Sequence, residues 1–471
     1  MRYHSTRGQA PALDFEEAML AGLAVDGGLY LPDAWPQLSV DEIAGLAGAD
    51  YAAAAATILA PFLGGVYSAD TLRAMADRAY AGFAHPARAP LLQIGANEWI
   101  LELHRGPTLA FKDFAMQLIG EMFERTLTRR GRRATVIGAT SGDTGSAAME
   151  AFRGLDAVDV FILYPHGRVS EVQRRQMTTP SEANVHALAV EGSFDDCQAL
   201  VKAMFADAAF REKMSLAAVN SINWARVAAQ VVYYFTAAVA LGGPARRVSF
   251  SVPTGNFGDI YAGWTAKRMG LPIERLVVAT NENDILHRTL ETGRYAPQTV
   301  RRTTAPSMDI QVSSNFERAL ADAHLDAAGG RDAGAVDGLM AALREEGGFT
   351  IGPEPLEALR AVFDSARVDE AAVSAEIRRV RDETGEVIDP HTAIGVAAGR
   401  ARRGDPQTPM ICLGCAHAAK FPDAVEAACG VRPALPPHMA DLFERPERVT
   451  VVPNALDAVE AEIAARANGR G

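Results

Sequence analysis

The chain is poor in cysteine, in lysine and in long apolar runs. Its 471 residues include four cysteines, too few for a disulfide framework, and Cys412 and Cys415 form a C-x-x-C pair without the second pair of a zinc site. We therefore expect no metal. No stretch reaches the roughly 18 apolar residues that a membrane-spanning helix needs, so we expect no membrane partner either.

Positive charge is also scarce. The chain has 46 lysines and arginines against 58 aspartates and glutamates, which gives a formal net charge of -12. Such a surface does not neutralise a phosphate backbone, so no nucleic acid partner is expected, although a local cluster of cations can still hold a small anion. The first residues, "MRYHSTRGQAPALDFEEAML", lack the apolar core of a signal peptide, and this predicts a cytoplasmic location.

The texture of the sequence changes near residue 90. Before it, Ala- and Leu-rich segments have helical spacing, interrupted by the loop-like "DGGLYLPDAWP"; after it, short apolar runs alternate with amphipathic stretches. Alternation of this kind predicts α/β domains with a parallel sheet. The predicted units are a helical N-terminal domain (1–90), a large α/β domain (91–150 and 240–430), a smaller α/β domain (151–239) and a C-terminal segment (431–471).

Lys112 stands between two phenylalanines in "GPTLAFKDFAMQ". Apolar residues from Phe111 to Phe123 recur at helical spacing, so Lys112 could be a solvated residue in the first turn of a helix. The chain has only five lysines, however, and it keeps this one beside aromatic rings. Burial there would lower the pKa of the amine and make it nucleophilic, which suits a lysine that forms a Schiff base.

Two glycine-rich turns each follow a predicted strand and precede a predicted helix. The first is "TSGDTG" (140–145), after a strand at 134–139, and the second is "PTGNFGD" (253–259), after a strand at 248–252. Backbone N–H groups and a helix dipole at such a turn can hold an anion, so two turns predict two anionic groups. Each could also be an ordinary connection, and neither has the pattern of a P-loop or a dinucleotide site.

Several segments resemble one known family: "LAGLAVDGGLYLP", "GPTLAFKDFAMQ", "ATSGDTGSAA", "NSINWARVAAQVVYYF", "VPTGNFGD" and "PSMDIQVSSNFER" are similar to threonine synthase of the longer type, which has an additional N-terminal domain. The resemblance extends from Ser5 to about Lys420. It implies the tryptophan-synthase-β-like fold (fold type II) with pyridoxal 5'-phosphate bound in the large domain. It also implies conversion of O-phospho-L-homoserine and water to L-threonine and phosphate.

The resemblance assigns roles to individual residues. Lys112 matches the catalytic lysine that forms the Schiff base with the cofactor. The family's cofactor-phosphate turn corresponds to Gly255, Asn256, Phe257 and Gly258. The loop around the substrate carboxylate and the cofactor ring corresponds to Thr140, Ser141, Asp143 and Thr144. The substrate phosphate is expected at Ser221, Asn223 and Arg226, and the fork of an arginine suits a dianion.

Two departures from the family pattern stand near these motifs. The family has "FHGPT" before its lysine, whereas this chain has His104 followed by Arg105 in "LHRGPT". The family resembles "STAHPAKF" near its C-terminus, whereas this chain has "GCAHAAKF", with Cys415 where a hydroxyl is expected to meet the pyridine nitrogen. A thiol is a weaker hydrogen-bond partner, so Cys415 is interpreted either as that cofactor contact or as a small buried packing residue.

Two other functions remain open from the sequence. A related dehydratase or phospholyase of the same fold would release a keto acid instead of threonine. A non-catalytic protein could bind pyridoxal phosphate or an amino acid as a regulatory ligand, although Lys112 and Arg226 argue against this reading. The sequence leaves the choice between a monomer and a homodimer open.

Overall fold

The structure is a computed structural model that describes residues 1–140 and 142–467. Among these residues, no helix is long and apolar enough to cross a membrane.

The N-terminal region is mostly helical, as predicted, but it also contains a small antiparallel sheet. Its second strand lies inside the segment predicted as a loop, because Tyr30 and Leu31 are buried and pair with the first strand. The elements are β1 (Tyr3–Ser5), α1 (Phe15–Ala21), β2 (Tyr30–Pro32), α2 (Val40–Ala44), α3 (Tyr51–Leu63) and α4 (Ala69–Ala81).

Strands and helices then alternate up to residue 240. The elements are β3 (Leu91–Gly95), β4 (Glu98–Glu102), α5 (Lys112–Arg129), β5 (Ala134–Ala139), α6 (Asp143–Phe152), β6 (Val158–Pro165), α7 (Glu171–Thr178), β7 (Val185–Glu191), α8 (Phe194–Ala206), α9 (Ala208–Met214), β8 (Leu216–Ala217) and α10 (Trp224–Ala240).

The alternation continues to the end of the described chain. The elements are β9 (Val248–Pro253), α11 (Gly258–Arg268), β10 (Ile273–Thr280), α12 (Ile285–Thr292), β11 (Arg294–Tyr295), α13 (Phe316–Ala323), α14 (Ala333–Glu345), β12 (Phe349–Thr350), α15 (Pro353–Arg360), β13 (Phe363–Arg367), α16 (Glu370–Thr384), α17 (Pro390–Ala401), β14 (Met410–Gly414), α18 (Pro422–Cys429), β15 (Thr450–Pro453) and α19 (Leu456–Ala467). Single 3₁₀ turns lie at Pro306–Met308, Ala418–Lys420 and Pro437–Met439.

Two larger sheets organise these elements. One has six strands in the order β13-β10-β9-β14-β4-β3, parallel except for the β3–β4 pair. The other has five parallel strands in the order β15-β7-β6-β5-β8. The central strands β6 and β9 are buried along their whole length, which explains why they read as continuous apolar runs.

Strand pairing differs from the predicted domain boundaries at two places. Residues 91–150 were assigned to the large domain, but β5 pairs with β6 and β8 in the five-stranded sheet. The C-terminal segment 431–471 adds β15 to the edge of that same sheet. Pairing joins strands that are distant in sequence, so local patterns did not reveal these partners.

The ends of β9 and β14 and the start of α5 converge on one region. Because β9 and β14 are neighbouring parallel strands, the turns that follow them lie at the same edge of the six-stranded sheet. The segment before α5 reaches this edge through a bridge between Ala110 and Ala416. Behind it, Phe114 of α5 packs against Tyr51 and Phe83 of the N-terminal region, which fixes the helix that Lys112 begins.

Candidate active site

Lys112 is the first residue of α5, and it is buried. Its side chain lies over the ring of Phe111, with Nζ 4.4 Å from the ring centroid. The backbone N–H of Phe111 donates to the carbonyl of Cys415 at 2.8 Å, which ties the start of the helix to the loop after β14. Burial lowers the pKa of Lys112 from its usual value. The solvated alternative is therefore wrong, and the amine lies inside the protein as the aromatic neighbours predicted.

Asp143 is the carboxylate that faces Lys112. It begins α6, and its Oδ2 lies 3.4 Å from Nζ of Lys112, while its Oδ1 lies 2.8 Å from Nζ of Lys420. Gln173 and Ser307 also donate hydrogen bonds to this carboxylate. Burial alone would raise the pKa of Asp143, but Lys420 and Lys112 together hold it well below its usual range. The carboxylate is therefore ionised at neutral pH.

The turn between β9 and α11 has the geometry of an anion cradle. Phe257 is in the left-handed region with φ of 63°, and its buried ring packs against Phe316 and Phe363. Within the described part of the chain, the backbone N–H groups of residues 255–257 have no protein acceptor. A Cβ on Gly255 would lie 3.1 Å from the carbonyl oxygen of Ser307, so the turn has little room for a side chain. Free N–H groups at a helix N-terminus fit the phosphate of the predicted cofactor.

The first glycine-rich turn is built differently from this cradle. The hydroxyl of Thr140 accepts hydrogen bonds from the N–H groups of Gly142 and Gly145, so it holds the turn itself together. Thr144 is partly exposed in the first turn of α6, and Ser141 lies outside the described residues. The geometry favours a structural role for Thr140 over its predicted substrate contact.

Arg226 is buried in α10 without a carboxylate partner among the described residues. Its guanidinium donates to the carbonyl of Val219 at 3.0 Å, and burial lowers the pKa of Arg226 to about 10. Its charge also lowers the pKa of Lys112, so the two side chains lie close enough to interact electrostatically. Burying a cation without a carboxylate partner costs free energy. Such a cation is expected where a side chain receives an anionic ligand.

The two other residues predicted to hold the substrate phosphate differ from each other. Asn223 caps α10: its Oδ1 accepts from the N–H of Ala225, and its Nδ2 donates to the carbonyl of Met19. The geometry therefore favours a structural role for Asn223 over the predicted substrate contact. Ser221 is partly exposed, and its carbonyl lies 3.6 Å from a Cβ built on Gly258, so it borders the phosphate cradle.

Cys415 follows β14 and is buried. Its Sγ lies 3.7 Å from the carbonyl oxygen of Leu413, and its backbone N–H donates to the hydroxyl of Thr392. Burial raises the pKa of Cys415 well above its usual value, so the thiol is neutral. Both interpretations of Cys415 stay predictions.

The contacts of His104 and Arg105 are with Glu102 and His417 rather than with Lys112. Arg105 pairs with Glu102 at 2.7 Å, and the ring of His104 lies edge-on to His417 at 5.4 Å. Burial lowers the pKa of His104 to about 3, so this imidazole is neutral at physiological pH.

Four side chains at the site were not among the predicted residues: Lys420, Ser307, Gln173 and His391. The first three contact Asp143, and Nε2 of His391 accepts from the backbone N–H of Ser307 at 3.3 Å. Because the chain has so few lysines, Lys420 could have been selected from the sequence as a candidate site residue. Gln173 and His391 reach the site from other segments of the chain, and Ser307 lies in the family segment "PSMDIQVSSNFER" but was given no role there.

The site thus combines a buried amine, an ionised carboxylate, an anion cradle and a buried arginine. This donor set fits a phosphorylated aldehyde cofactor together with a second anionic ligand. Across residues 1–140 and 142–467, no group of three His, Cys, Asp or Glu side chains is arranged to hold a metal ion.

Comparisons with known proteins agree with this chemistry. Residues 2–80 match the family profile "Threonine synthase N terminus", residues 85–354 match "Pyridoxal-phosphate dependent enzyme", and residues 392–463 match "Threonine synthase, C-terminal". The chain is 53% identical to a threonine synthase of Pseudomonas aeruginosa, over 99% of each chain. It is 44% identical to one of Schizosaccharomyces pombe, over 90% of this chain and 89% of the relative.

Solved structures show the same relationship. A pyridoxal phosphate-bound threonine synthase from Brucella melitensis superposes with a TM-score of 0.97 at 55% identity, over the whole of both chains. The yeast enzyme superposes with a TM-score of 0.93 at 39% identity, over 99% of this chain and 98% of the other. The predicted fold class and the resemblance read from the sequence are confirmed. The chain belongs to the threonine synthase family of pyridoxal phosphate-dependent lyases.

Proposed function

We propose that the chain converts O-phospho-L-homoserine and water into L-threonine and inorganic phosphate, with pyridoxal phosphate bound at Lys112. The observation that carries this proposal is the placement of two buried cationic side chains beside one glycine-rich cradle: Lys112, and Arg226, which has no carboxylate partner in the described part of the chain. The cradle accounts for the cofactor phosphate, and Arg226 accounts for a second phosphate, that of the substrate.

The turn at 255–258 would hold the cofactor phosphate, and Lys112 would hold its aldehyde carbon. When bound, pyridoxal phosphate delocalises the electron pair that remains at a carbon after a proton has left it. Asp143 and Cys415 are proposed to border the ring. Thr144, in the first turn of α6, stays a candidate for the substrate carboxylate, and so does Ser141 on the family motif alone.

Lys112 is proposed as the group that moves protons at the substrate. An amine accepts a proton only in its neutral form, and the lowered pKa of Lys112 increases that form near neutral pH. A positioned amine can take a proton from Cα and later return one to the same carbon. In between, a second proton leaves Cβ as phosphate leaves Cγ, a proton adds at Cγ to form the methyl group, and the hydroxide of water adds at Cβ. Lys112 therefore ends the cycle in the protonation state in which it began.

Arg226 is proposed to stabilise the departing phosphate. Charge on the phosphate oxygens grows as the bond to Cγ breaks, and a guanidinium in a buried site stabilises that charge more strongly than one in water. The Arg226 guanidinium donates one hydrogen bond to the described protein atoms, so its other N–H groups can donate to the phosphate oxygens. Its contribution is therefore expected to be larger in the transition state than in the bound substrate.

Product analysis tests the proposed function. Incubation of the purified protein with O-phosphohomoserine in water enriched in ¹⁸O should give threonine and phosphate in equal amounts. The label should enter the β-hydroxyl of threonine and not the phosphate, because the C–O bond breaks. Lys112→Ala should abolish both products, whereas Lys213→Ala, at an exposed lysine, should leave them unchanged.

The alternative functions give different results in the same experiment. A phospholyase or dehydratase of this fold would release 2-oxobutyrate and ammonia in place of threonine, and a non-catalytic binding protein would give no phosphate. The cytoplasmic location and the choice between a monomer and a homodimer stay predictions, which cell fractionation and sedimentation would test.

A further inference from the structure

Two buried lysines share a single carboxylate at the site. Lys112 and Lys420 both contact Asp143, one at each oxygen, and the three side chains are at most 10% exposed. If both amines were protonated, the cluster would carry a net positive charge in a region that also contains the guanidinium of Arg226. Excess charge in a buried site is unfavourable, so loss of a proton from one lysine relieves it.

The two lysines are not equivalent. Nζ of Lys420 is fully buried and donates two hydrogen bonds of 2.8 Å, to Oδ1 of Asp143 and to the carbonyl of Thr108. Nζ of Lys112 has a single contact with Asp143, at 3.4 Å, beyond the usual range for an N–H···O bond, and its other neighbour is a phenyl ring. Both bonds of Lys420 are short and one acceptor is a carboxylate, which favours an ammonium group at Lys420, whereas Lys112 has only one long contact with that carboxylate.

We propose that Lys420 is a positioning residue that holds the carboxylate of Asp143 and carries the positive charge of the cluster, so that Lys112 is the amine without a proton. The inference rests on the proposed function, in which Lys112 must be a neutral amine to bind the cofactor and to accept a proton. Lys420 needs no contact with the substrate for this role.

The groups around Lys112 are consistent with this assignment. Burial lowers the pKa of Lys112, Asp143 opposes that shift, and Lys420 and Arg226 add to it. Because Lys420 already occupies Oδ1 of Asp143, the carboxylate cannot give Lys112 its full stabilisation. The titratable or charged groups that act on Lys112 are Asp143 on α6, Lys420 in the 3₁₀ turn at 418–420, Cys415 after β14, Arg226 on α10 and Asp259 on α11.

Lysine NMR on the full-length protein tests the inference. The chain has five lysines, so protein labelled with ¹³C at lysine Cε should give five signals, each assigned by a single Lys→Arg substitution. The cofactor is removed with hydroxylamine, and the protein is shown to regain activity on reloading. In the wild-type protein, the signal of Lys112 should titrate at a lower pH than the signal of Lys420.

Variants then separate the role of Lys420 from a merely structural one. Lys420→Gln keeps hydrogen-bond donors but removes the charge, and it should raise the midpoint of Lys112 by about one pH unit or more, a tenfold loss of free amine below that midpoint. Lys420→Arg keeps the charge and should leave the midpoint near its wild-type value. Adding Asp143→Asn to Lys420→Gln should return the midpoint to the wild-type value or below it.

Three results would overturn the inference. They are a wild-type protein in which Lys420 loses its proton before Lys112, a folded Lys420→Gln protein with an unchanged Lys112 midpoint, and a double variant whose midpoint stays raised. If Lys420→Gln does not fold, the order of titration in the wild-type protein decides. The titration uses no substrate, so failure of the proposed function would appear in the product analysis and not here.

Discussion

Replacing Arg226 by methionine should separate activity from stability. Arg226 is 4% exposed, and its guanidinium has one hydrogen bond to described protein atoms, so the substitution removes few polar contacts within the protein. Methionine fills similar space without a charge, and the cost of burying that charge disappears. We therefore expect the melting temperature of Arg226→Met to equal or exceed that of the wild-type protein.

The loss should appear in catalysis. Two charge-assisted hydrogen bonds to a phosphate at about 1.5–3 kcal/mol each give a loss of roughly 3 kcal/mol or more. This corresponds to a fall in kcat/KM of about a hundredfold or more, with much of the fall in kcat because the phosphate gains charge in the transition state. The kcat/KM of Arg226→Lys, which keeps the charge but loses the planar fork, should lie between those of the wild-type protein and Arg226→Met.

The assay is phosphate release from O-phosphohomoserine, with cofactor absorbance and thermal unfolding measured on the same samples. The matched control is Arg318→Met, at a second buried arginine that donates to the carbonyls of Tyr30 and Ile222 and to Asn315. That variant should lose stability because its carbonyl partners are left unpaired. An Arg226→Met protein with wild-type kcat/KM, or one that loses activity only through unfolding or loss of cofactor, would refute the reasoning.

Three further predictions concern the cofactor. Borohydride reduction of the holoenzyme should fix the cofactor on the peptide that contains Lys112, and a label on any other lysine would contradict the assignment. Because burial lowers the pKa of Lys112, capture of pyridoxal phosphate by the cofactor-free protein should rise with pH and level off below the pH at which an exposed lysine does; a rate still rising at about pH 10 would refute this. Cys415→Thr should retain threonine formation, whereas Cys415→Asp, which adds a carboxylate near Asp143 and Asp259, should lower stability and shift the cofactor absorbance. An unchanged spectrum and product ratio in Cys415→Asp would make Cys415 a packing residue.

Local patterns were enough to predict the elements that position the site. Helical spacing after Phe111 predicted α5, and the two strand-turn-helix units appear as β5–α6 and β9–α11. These predictions succeeded because side-chain periodicity and glycine-rich turns are encoded within about twenty residues of sequence. The burial of Lys112 was also predictable, since aromatic residues flank this lysine at the start of an apolar helix and leave its side chain few directions in which to reach solvent.

Roles that depend on distant partners were not predictable in this way. Asn223 matches a substrate-binding position by motif, but its carboxamide is occupied by Met19, a residue of the N-terminal region. Thr140 likewise matches a substrate loop, yet its hydroxyl accepts two N–H groups of its own turn. A motif identifies which residues lie near a site, and only the packing of other segments decides which donors and acceptors remain free.

The same principle explains why Asp143 is the central residue of the site. It begins the helix that follows β5 of the five-stranded sheet, whereas Lys420 and Ser307 belong to segments around the six-stranded sheet. The carboxylate therefore joins the two sheets by ion pairs and hydrogen bonds, and it also acts on the charge of Lys112. The pKa of Lys112 therefore depends on a carboxylate that segments around both sheets hold in place.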